Sequence, residues 1–152
     1  MIGEKEEVGT TQGKSAEGNI AVVARIYAAF KRGDVPGILA NIAEDVRAFG
    51  IVSESAKEVP WHLQITNKKD VPRFFKALAD ECDFTSFEPR DFATGGDHVY
   101  CTVRYDVTLK RNGKKLRIDN TMHHFILKGG RVIEWRGTED TARIRDALAV
   151  KG

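Results

Sequence analysis

The feature that most constrains the fold is a β-hairpin predicted around the dipeptide Asn112-Gly113. Asn-Gly favours a type I′ turn, because both central residues of that turn need a positive φ. The flanking residues, 100–127, are rich in β-branched and aromatic side chains and predict two long antiparallel strands. A two-residue turn also fixes the register, and the register decides which side chains share a face.

The predicted register places six polar side chains on one face of this hairpin. They form three facing pairs: Arg104 with Thr121, Asp106 with Asp119, and Thr102 with His123. Side chains alternate between the two faces of a strand, so all six share one surface. Two carboxylates, a guanidinium and an imidazole together indicate either a solvated sheet face or a reaction site.

Asp106 is the leading candidate for a general base. In an apolar pocket, burial would raise the pKa of its carboxyl, whereas the adjacent Arg104 would lower it. Asp119, directly opposite, would add like-charge repulsion. The alternative is a structural charge cluster, in which Arg104 and Asp106 pair with Asp119 and Arg117 near an exposed end of the sheet. His123 has an ordinary pKa suited to acid–base work, but it could equally be a core histidine held by a threonine.

The N-terminal part of the chain predicts an arm followed by helices. Residues 1–15 are polar and charged, which predicts a disordered arm ahead of a single domain over residues 16–150. Apolar residues at helical spacing predict a first helix over residues 16–32. Asp34 and Asp70 are predicted N-caps of two further helices, each with a proline in its first turn.

The second half of the chain predicts an antiparallel meander. Its strands are expected over residues 84–92, 99–110, 115–127 and 131–137, with a short helix over residues 138–149 at the end. The third turn, Lys128-Gly129-Gly130, is predicted as a three-residue loop, because that register brings Trp135 beside Phe125. Helices followed by a meander predict an α+β fold with helices packed on one face of a mixed or antiparallel sheet.

The face of the hairpin opposite Arg104 and Asp106 is nearly all apolar. On one strand it comprises Val99, Cys101, Val103, Tyr105, Val107 and Leu109. If the helices cover the charged face, a second subunit must bury the apolar face, since apolar patches of that size are rarely exposed. If the helices cover the apolar face, Arg104, Asp106 and His123 are merely solvated.

Composition excludes several classes of protein. The chain has 152 residues, 30% of them charged, and a formal net charge of +2, without the basic field that nucleic-acid binding needs. No apolar run approaches the ~18 residues of a membrane span, and no signal peptide is visible. Cys82 and Cys101 predict free thiols in a reducing compartment, hence a cytoplasmic location. The four histidines show no metal-ligand spacing, so neither a metal nor another cofactor is expected.

Four stretches of the chain together resemble a known superfamily. They are VARIYAAFKRGDVPGILANIAEDV, VPWHLQITNKKDVPRFF, FEPRDFATGGDHVYCTVRYDV and HHFILKGGRVIEWRGTEDT. In this order they resemble the SnoaL-like and ketosteroid-isomerase-like branch of the nuclear-transport-factor-2-like superfamily, over residues 19–150. The resemblance implies a cone, in which a curved sheet wraps around a pocket closed by a long first helix and two shorter helices. It also implies a homodimer through the outer sheet face, with the charged face turned into the pocket.

The resemblance transfers catalytic residues only in part. The tyrosine, the base and the aspartic acid of ketosteroid isomerases correspond to Ile26, Gly50 and His123. The Arg-x-Asp pair of limonene-epoxide hydrolases matches Arg104 and Asp106, but their second aspartate falls at Gly137. Polyketide cyclases of this branch pair a histidine, matched by His123, with an aspartate that again falls at Gly137.

These observations predict an enzyme that acts on a small hydrophobic, oxygen-bearing molecule by isomerisation, cyclisation or epoxide opening. Asp106 would be the general base, His123 the acid or orienting group, and Arg104 the partner of Asp106 or of an oxyanion. The expected ligand-binding residues are Trp61, Ile26, Phe30, Phe125, Trp135 and Asp119. The alternative is a non-catalytic ligand-binding or dimerisation domain, which the glycine at position 137 favours.

Overall fold

The structure is a computed structural model that describes residues 2–52 and 57–151, with side chains from residue 16 onward. Four α-helices are α1 (Ile2–Lys31), α2 (Val35–Leu39), α3 (Val71–Glu81) and α4 (Thr141–Leu148). Six strands are β1 (Ala48–Ile51), β2 (Gln64–Ile65), β3 (Cys82–Gly95), β4 (His98–Leu109), β5 (Lys115–Lys128) and β6 (Arg131–Thr138). The disordered arm predicted over residues 1–15 stays a prediction, because the side chains of these residues lie outside the described part of the chain.

The strands form one curved, unclosed sheet in the order β2-β1-β6-β5-β4-β3. Strand β1 runs parallel to β6, and every other neighbouring pair is antiparallel. The α+β prediction is therefore confirmed, and β2 lies outside the strands predicted from the sequence. No helix in the described ranges is long and apolar enough to cross a membrane.

The N-terminus of α2 is capped as predicted, whereas that of α3 is capped in a different way. The Asp34 carboxylate accepts a hydrogen bond from Gly37 N at 2.9 Å, as an N-cap should. Asp70 occupies the predicted N-cap position of α3, but its side chain makes no capping hydrogen bond to the helix. Asn67 acts there instead, since its side chain accepts from Asp70 N at 3.0 Å and starts a 3₁₀ turn that leads into the helix.

The turn of the central hairpin differs from the prediction. Leu109 N donates to Lys114 O at 2.8 Å, so the loop contains four residues instead of two. Gly113 has a φ of +72°, but Asn112 has no positive φ, which excludes a type I′ turn. The Asn112 amide instead donates to the carbonyls of Ala147 and Val150 at 2.8 and 2.7 Å. This tie to the end of α4 explains why the local turn signal fails.

A β-bulge then reverses the faces along β5. Tyr105 pairs with Ile118 and Val103 with Thr121, so Asp119 and Asn120 together oppose the single residue between Val103 and Tyr105. Asn120 adopts a φ of +50°, in the left-handed region. Because the extra residue shifts the alternation by one, the residues that face the helices are even-numbered before the bulge, as Ile118 is, and odd-numbered after it, as Thr121 is.

The single polar face predicted for the hairpin is therefore wrong. The helices cover the apolar face of β4, on which Val99, Cys101, Val103, Tyr105, Val107 and Leu109 are all buried. Arg104, Asp106 and Asp119 lie on the opposite, outer face. His123 and Thr121 are 6% and 2% exposed, respectively, on the covered face. With the apolar face covered by helices, the argument that a second subunit must bury it no longer applies.

The turn between β5 and β6 differs from the prediction, but the predicted contact between Phe125 and Trp135 is present. Lys128 pairs with Arg131 across a two-residue Gly129-Gly130 turn in which both glycines have positive φ, so the predicted three-residue loop is wrong. A register shift one step further on restores the expected neighbours, because Phe125 still pairs with Trp135. The aromatic wall expected from these two residues is therefore present.

Candidate functional site

The concave side of the sheet encloses a cavity against α1 and α3. Its volume is about 70 Å³, counted as the space that the centre of a water molecule can reach. Most of its lining is aromatic or aliphatic, as is typical of sites for small molecules. Of the expected ligand-binding residues, five line the cavity: Trp61, Ile26, Phe30, Phe125 and Trp135. The sixth, Asp119, lies on the outer face.

His123 is the first polar group in this lining, and it is tied to α1. Tyr27 Oη lies 2.6 Å from His123 Nδ1 and 3.1 Å from Cys101 Sγ. Desolvation by burial lowers the pKa of His123 to about 4, so the imidazole is neutral at pH 7. Burial, together with Cys101, raises the pKa of Tyr27 well above its usual value. Tyr27 therefore keeps its proton and holds one ring nitrogen of His123.

Two proton arrangements satisfy this chain of three groups. In one, the Tyr27 hydroxyl donates to His123 Nδ1, which leaves the proton of the neutral ring on Nε2. In the other, Nδ1 donates to the Tyr27 oxygen, the hydroxyl donates to Cys101, and Nε2 carries a lone pair. His123 therefore has a hydrogen-bonding nitrogen that serves as donor in one tautomer and acceptor in the other.

Glu139, just after β6, is the second polar group of the cavity. Trp61 Nε1 donates to its Oε1 at 2.8 Å, and His62 Nε2 lies 2.7 Å from the same oxygen. Tyr105 Oη donates to its Oε2 at 2.8 Å. The side chains of His62 and Glu139 are 0% and 5% exposed. A carboxylate at this depth is tolerated because it is hydrogen-bonded on both oxygens.

These hydrogen bonds decide the charge of Glu139. Burial alone would raise the pKa of its carboxyl, but the hydrogen bonds from His62, Trp61 and Tyr105 outweigh burial and lower the pKa below its usual value. Burial and the neighbouring Glu139 raise the pKa of Tyr105 far above the ordinary range. The site therefore contains an ionised carboxylate beside a neutral phenol.

Gly137, where relatives were expected to carry an acid, is opposite His123 in the β5–β6 pair. A Cβ at Gly137 would lie 2.6 Å from Ile51 Cδ1, 3.2 Å from Trp135 Cζ2 and 3.3 Å from His123 Cδ2. These side chains occupy the space beside the glycine. The acid of this site comes instead from Glu139, two residues later.

The predicted catalytic trio is divided between the two faces. Arg117 makes a two-pronged hydrogen bond to Asp106, at 2.9 and 3.0 Å, and Arg104 Nε lies 2.8 Å from Asp119 Oδ1. Hydrogen bonds from Arg117 and Ser86 lower the pKa of Asp106 to about 2. The outer face is thus the structural charge cluster considered as the alternative. His123 alone of the trio reaches the cavity.

Sequence reasoning missed Tyr27, His62, Tyr105 and Glu139. Glu139 could have been found, because the resemblance places an acid at position 137, and in extended chain a side chain two residues later points to the same side. Nothing local in the sequence indicates His62, which a loop brings to within hydrogen-bonding distance of Glu139. No group of three or more His, Cys, Asp and Glu side chains suited to a metal ion occurs among the described residues.

Comparisons with known proteins identify the fold. The family model described as SnoaL-like domain matches residues 23–135. An NTF2-like protein of unknown function from Burkholderia pseudomallei is 21% identical, with a TM-score of 0.76 over 88% of this chain and 98% of that protein. TerC, co-crystallised with polyporic acid, is 20% identical with a TM-score of 0.75, over 88% and 99%. An LEH-like epoxide hydrolase from M. tuberculosis is 14% identical with a TM-score of 0.66, over 87% and 90%.

At these identities the structural likeness establishes the fold alone. A comparison with curated proteins finds no match.

Proposed function

The chain belongs to the SnoaL-like domain family, and from that premise we propose that its cavity binds a small hydrophobic, oxygen-bearing molecule and catalyses proton transfer on it without a cofactor. One observation carries the proposal. A neutral imidazole, His123, and an ionised carboxylate, Glu139, both line the same largely apolar cavity. Pairs of titratable groups whose environments separate their pKa values are typical of acid–base sites.

In the proposed reaction, His123 exchanges the proton. Its Nε2 accepts a proton from carbon in one tautomer and returns it to another position of the same molecule as the imidazolium. Tyr27 keeps the ring oriented through Nδ1. The negative charge of Glu139 favours the imidazolium that forms, since it acts on His123 to raise its pKa.

The low basicity of both groups limits the substrate. Burial lowers the pKa of His123 to about 4, and the pKa of Glu139 is also lowered. Efficient transfer needs a donor and an acceptor of similar pKa, so the abstracted proton must be an acidic one. A proton on a carbon that lies next to a carbonyl group and is further acidified by an aryl ring, as at C1 of 2-tetralone, fits best. Isomerisation and cyclisation can both begin by removing a proton next to a carbonyl group.

Hydrogen–deuterium exchange into 2-tetralone in D₂O, followed by NMR, tests this proposal. Wild-type protein is expected to accelerate exchange beside the carbonyl. His123→Gln should reduce that acceleration by about 10²-fold or more, the usual contribution of a general base. His124→Gln is the matched control, because its imidazole lies on the outer face and bonds to His98 at 2.7 Å. Equal loss in both variants would contradict the proposal.

A second candidate is a non-catalytic binding domain. The three hydrogen bonds on Glu139 favour it, because a carboxylate that already accepts from His62, Trp61 and Tyr105 has little capacity left for substrate. Tight binding of 2-tetralone without any accelerated exchange would support this candidate over the enzyme.

A cytoplasmic location stays a prediction. A homodimer through the outer face of the sheet is a separate proposal. The face exposes Tyr100 and Met122, at 40% and 46%. Tyr100 stacks on His124 with ring centroids 4.4 Å apart. Light scattering at micromolar concentration tests the dimer. Wild type should be dimeric and Tyr100→Asp monomeric, whereas a monomeric wild type would contradict it.

A further inference from the structure

The cavity is closed on one side by phenylalanines that are partly exposed to solvent. Most of the described residues that line the cavity are buried. Glu139 is not buried as a whole residue, but its side chain is only 5% exposed. The other lining residues that are not buried lie on α1, α3 and β3 and are called here the phenylalanine cluster: Phe30, Phe75, Phe84 and Phe87. A molecule that enters the cavity on this side meets the cluster first.

The cluster is held together by ring packing alone. The ring centroid of Phe30 lies 4.9 Å from that of Phe87, 5.6 Å from that of Phe84 and 6.1 Å from that of Phe75. These are the distances of ordinary aromatic pairs, and phenyl rings form no conventional hydrogen bond that would lock them. Because partly exposed side chains change rotamer rapidly, the cluster can open without any change in the backbone.

The outer side of the phenylalanine cluster faces a groove. The groove lies between the end of α1, α2, α3 and β3, and its volume is about 670 Å³ by the same measure as for the cavity. Cavity and groove share one wall, because the same six side chains line both: the phenylalanine cluster, Leu78 and Cys82. The groove is therefore the space from which the cavity is reached on this side.

The remaining lining of the groove indicates what it can hold. Three apolar side chains, Val35, Ile38 and Ala79, line the groove and not the cavity. Among the described residues, its charged side chains are Lys31 and Glu88, which are both exposed and of opposite sign. An apolar floor with no excess of either charge suits an uncharged hydrocarbon chain.

We infer that the groove is the outer part of the ligand site, so that the ligand passes through the phenylalanine cluster and leaves an apolar chain in the groove. The carbonyl-bearing ring then lies in the cavity with His123. This inference rests on the proposed function and narrows its substrate class to ketones that carry an aliphatic chain on the side of the ring away from the reacting carbon.

Calorimetric binding of two ketones that differ only in this chain tests the inference. 2-Tetralone has no chain, whereas 6-hexyl-2-tetralone carries six carbons on the ring away from the ketone. Each buried methylene strengthens binding by up to about fourfold, so the hexyl compound should bind at least about tenfold more tightly.

A variant of the groove shows whether the chain lies there. Ala79 is exposed on α3 and lines the groove alone. Ala79→Glu should therefore remove the roughly tenfold advantage of the hexyl compound, because it puts bulk and charge where the chain lies, and should leave 2-tetralone unchanged. Ala28→Glu is the matched control, since Ala28 is an exposed alanine of α1 that lines neither space.

Methyl NMR of the wild-type protein locates the chain without any substitution. The methyl signals of Val35 and Ile38, which line the groove and not the cavity, should shift when 6-hexyl-2-tetralone binds. They should stay in place when 2-tetralone binds. Signals that stay in place with both compounds would overturn the inference.

The outcomes separate this inference from the proposed function. Equal affinity for the two ketones overturns the inference, while accelerated exchange into 2-tetralone would leave the proposed function standing. An advantage of the hexyl compound that is as large in Ala79→Glu as in Ala28→Glu also overturns it, since the chain would then lie elsewhere. Failure of both ketones to bind overturns the inference, and an absence of exchange would then remove the proposed function as well.

Discussion

His123 and His124 are adjacent in the chain and differ in almost every physical respect. His123 points into the concave face, where burial lowers the pKa of its ring to about 4. His124 points outward, stacks on Tyr100 and bonds to His98. Because neighbouring side chains on β5 point to opposite faces, His123 is a candidate reacting group, and His124 is a control residue that lies outside the cavity.

The buried imidazole predicts a specific dependence of stability on pH. His123 binds a proton near pH 4 in the folded state and near its usual 6.5 in the unfolded state. Between these values the unfolded state holds more protons, so the free energy of unfolding should fall as pH falls from 6.5 to 4. The loss should be about 3 kcal/mol. Urea denaturation of His123→Gln should lack this component, and parallel curves for variant and wild type would contradict it.

Glu139 predicts a second effect at the residue scale. Glu139→Gln removes the charge that His62, Trp61 and Tyr105 satisfy, and it turns one acceptor into a donor that faces donors. Losing these hydrogen bonds to a buried carboxylate should lower the free energy of unfolding by about 3 kcal/mol. The control is Glu44→Gln, whose carboxylate is exposed beside Lys68 and should leave the urea midpoint unchanged. Equal midpoints in the two variants would contradict the account.

At the scale of elements, the bulge in β5 decides which residues form the site. Asn120 carries the left-handed conformation that the bulge needs, with a φ of +50°. Without the extra residue, the side chains of Thr121 and His123 would point outward with Asp119. One irregular residue thus separates the charge cluster from the cavity.

Substitutions at Asn120 test the bulge. Asn120→Gly should preserve or slightly raise stability, because glycine adopts positive φ without a steric cost. Asn120→Val should lose about 1–2 kcal/mol, because a β-branched residue is strained in that region. Thermal unfolding of both variants measures the difference. Asp119→Val is the control for the change in polarity alone, and a loss there equal to that of Asn120→Val would argue against the strain.

The sequence predicts where most helices and strands lie, but it predicts less well which side chains point to which face of the sheet. Helical spacing and strand composition place the end of α1, the start of α3 and the meander close to their observed positions. The spacing of apolar residues in β5 changes after Ile118, where two polar residues interrupt the alternation, and this is the available sign of the bulge. The hairpin turn could not be predicted locally, since Asn112 is held by the end of α4.

At the scale of the whole molecule, the curved sheet separates two kinds of surface. Its concave side holds the aromatic core and the cavity, with His123 and Glu139 in the cavity lining. Its convex side carries exposed ion pairs such as Arg117 with Asp106 and Arg104 with Asp119. The fold could be predicted from the order of the helices and strands. The residues of the site could be predicted only with the correct strand register.

This separation predicts that the outer charges do not contribute to the site. Asp106→Asn should leave the affinity for 2-tetralone and the exchange rate unchanged, because its carboxylate is paired with Arg117 on the face away from the cavity. Surface ion pairs of this kind also contribute little to stability and are screened by salt. Calorimetry and exchange measurements on the variant check this, and a loss comparable to that of His123→Gln would return the site to the outer face.

His123 is expected to be a buried, neutral group of the cavity. NMR titration of the imidazole signals tests it most directly, with the four histidines assigned through single glutamine variants. The account predicts that the His123 ring stays neutral until the pH approaches about 4, and that 2-tetralone shifts its signals and leaves those of His124 unchanged. A His123 ring that titrates near 6.5 and ignores the ligand would contradict it.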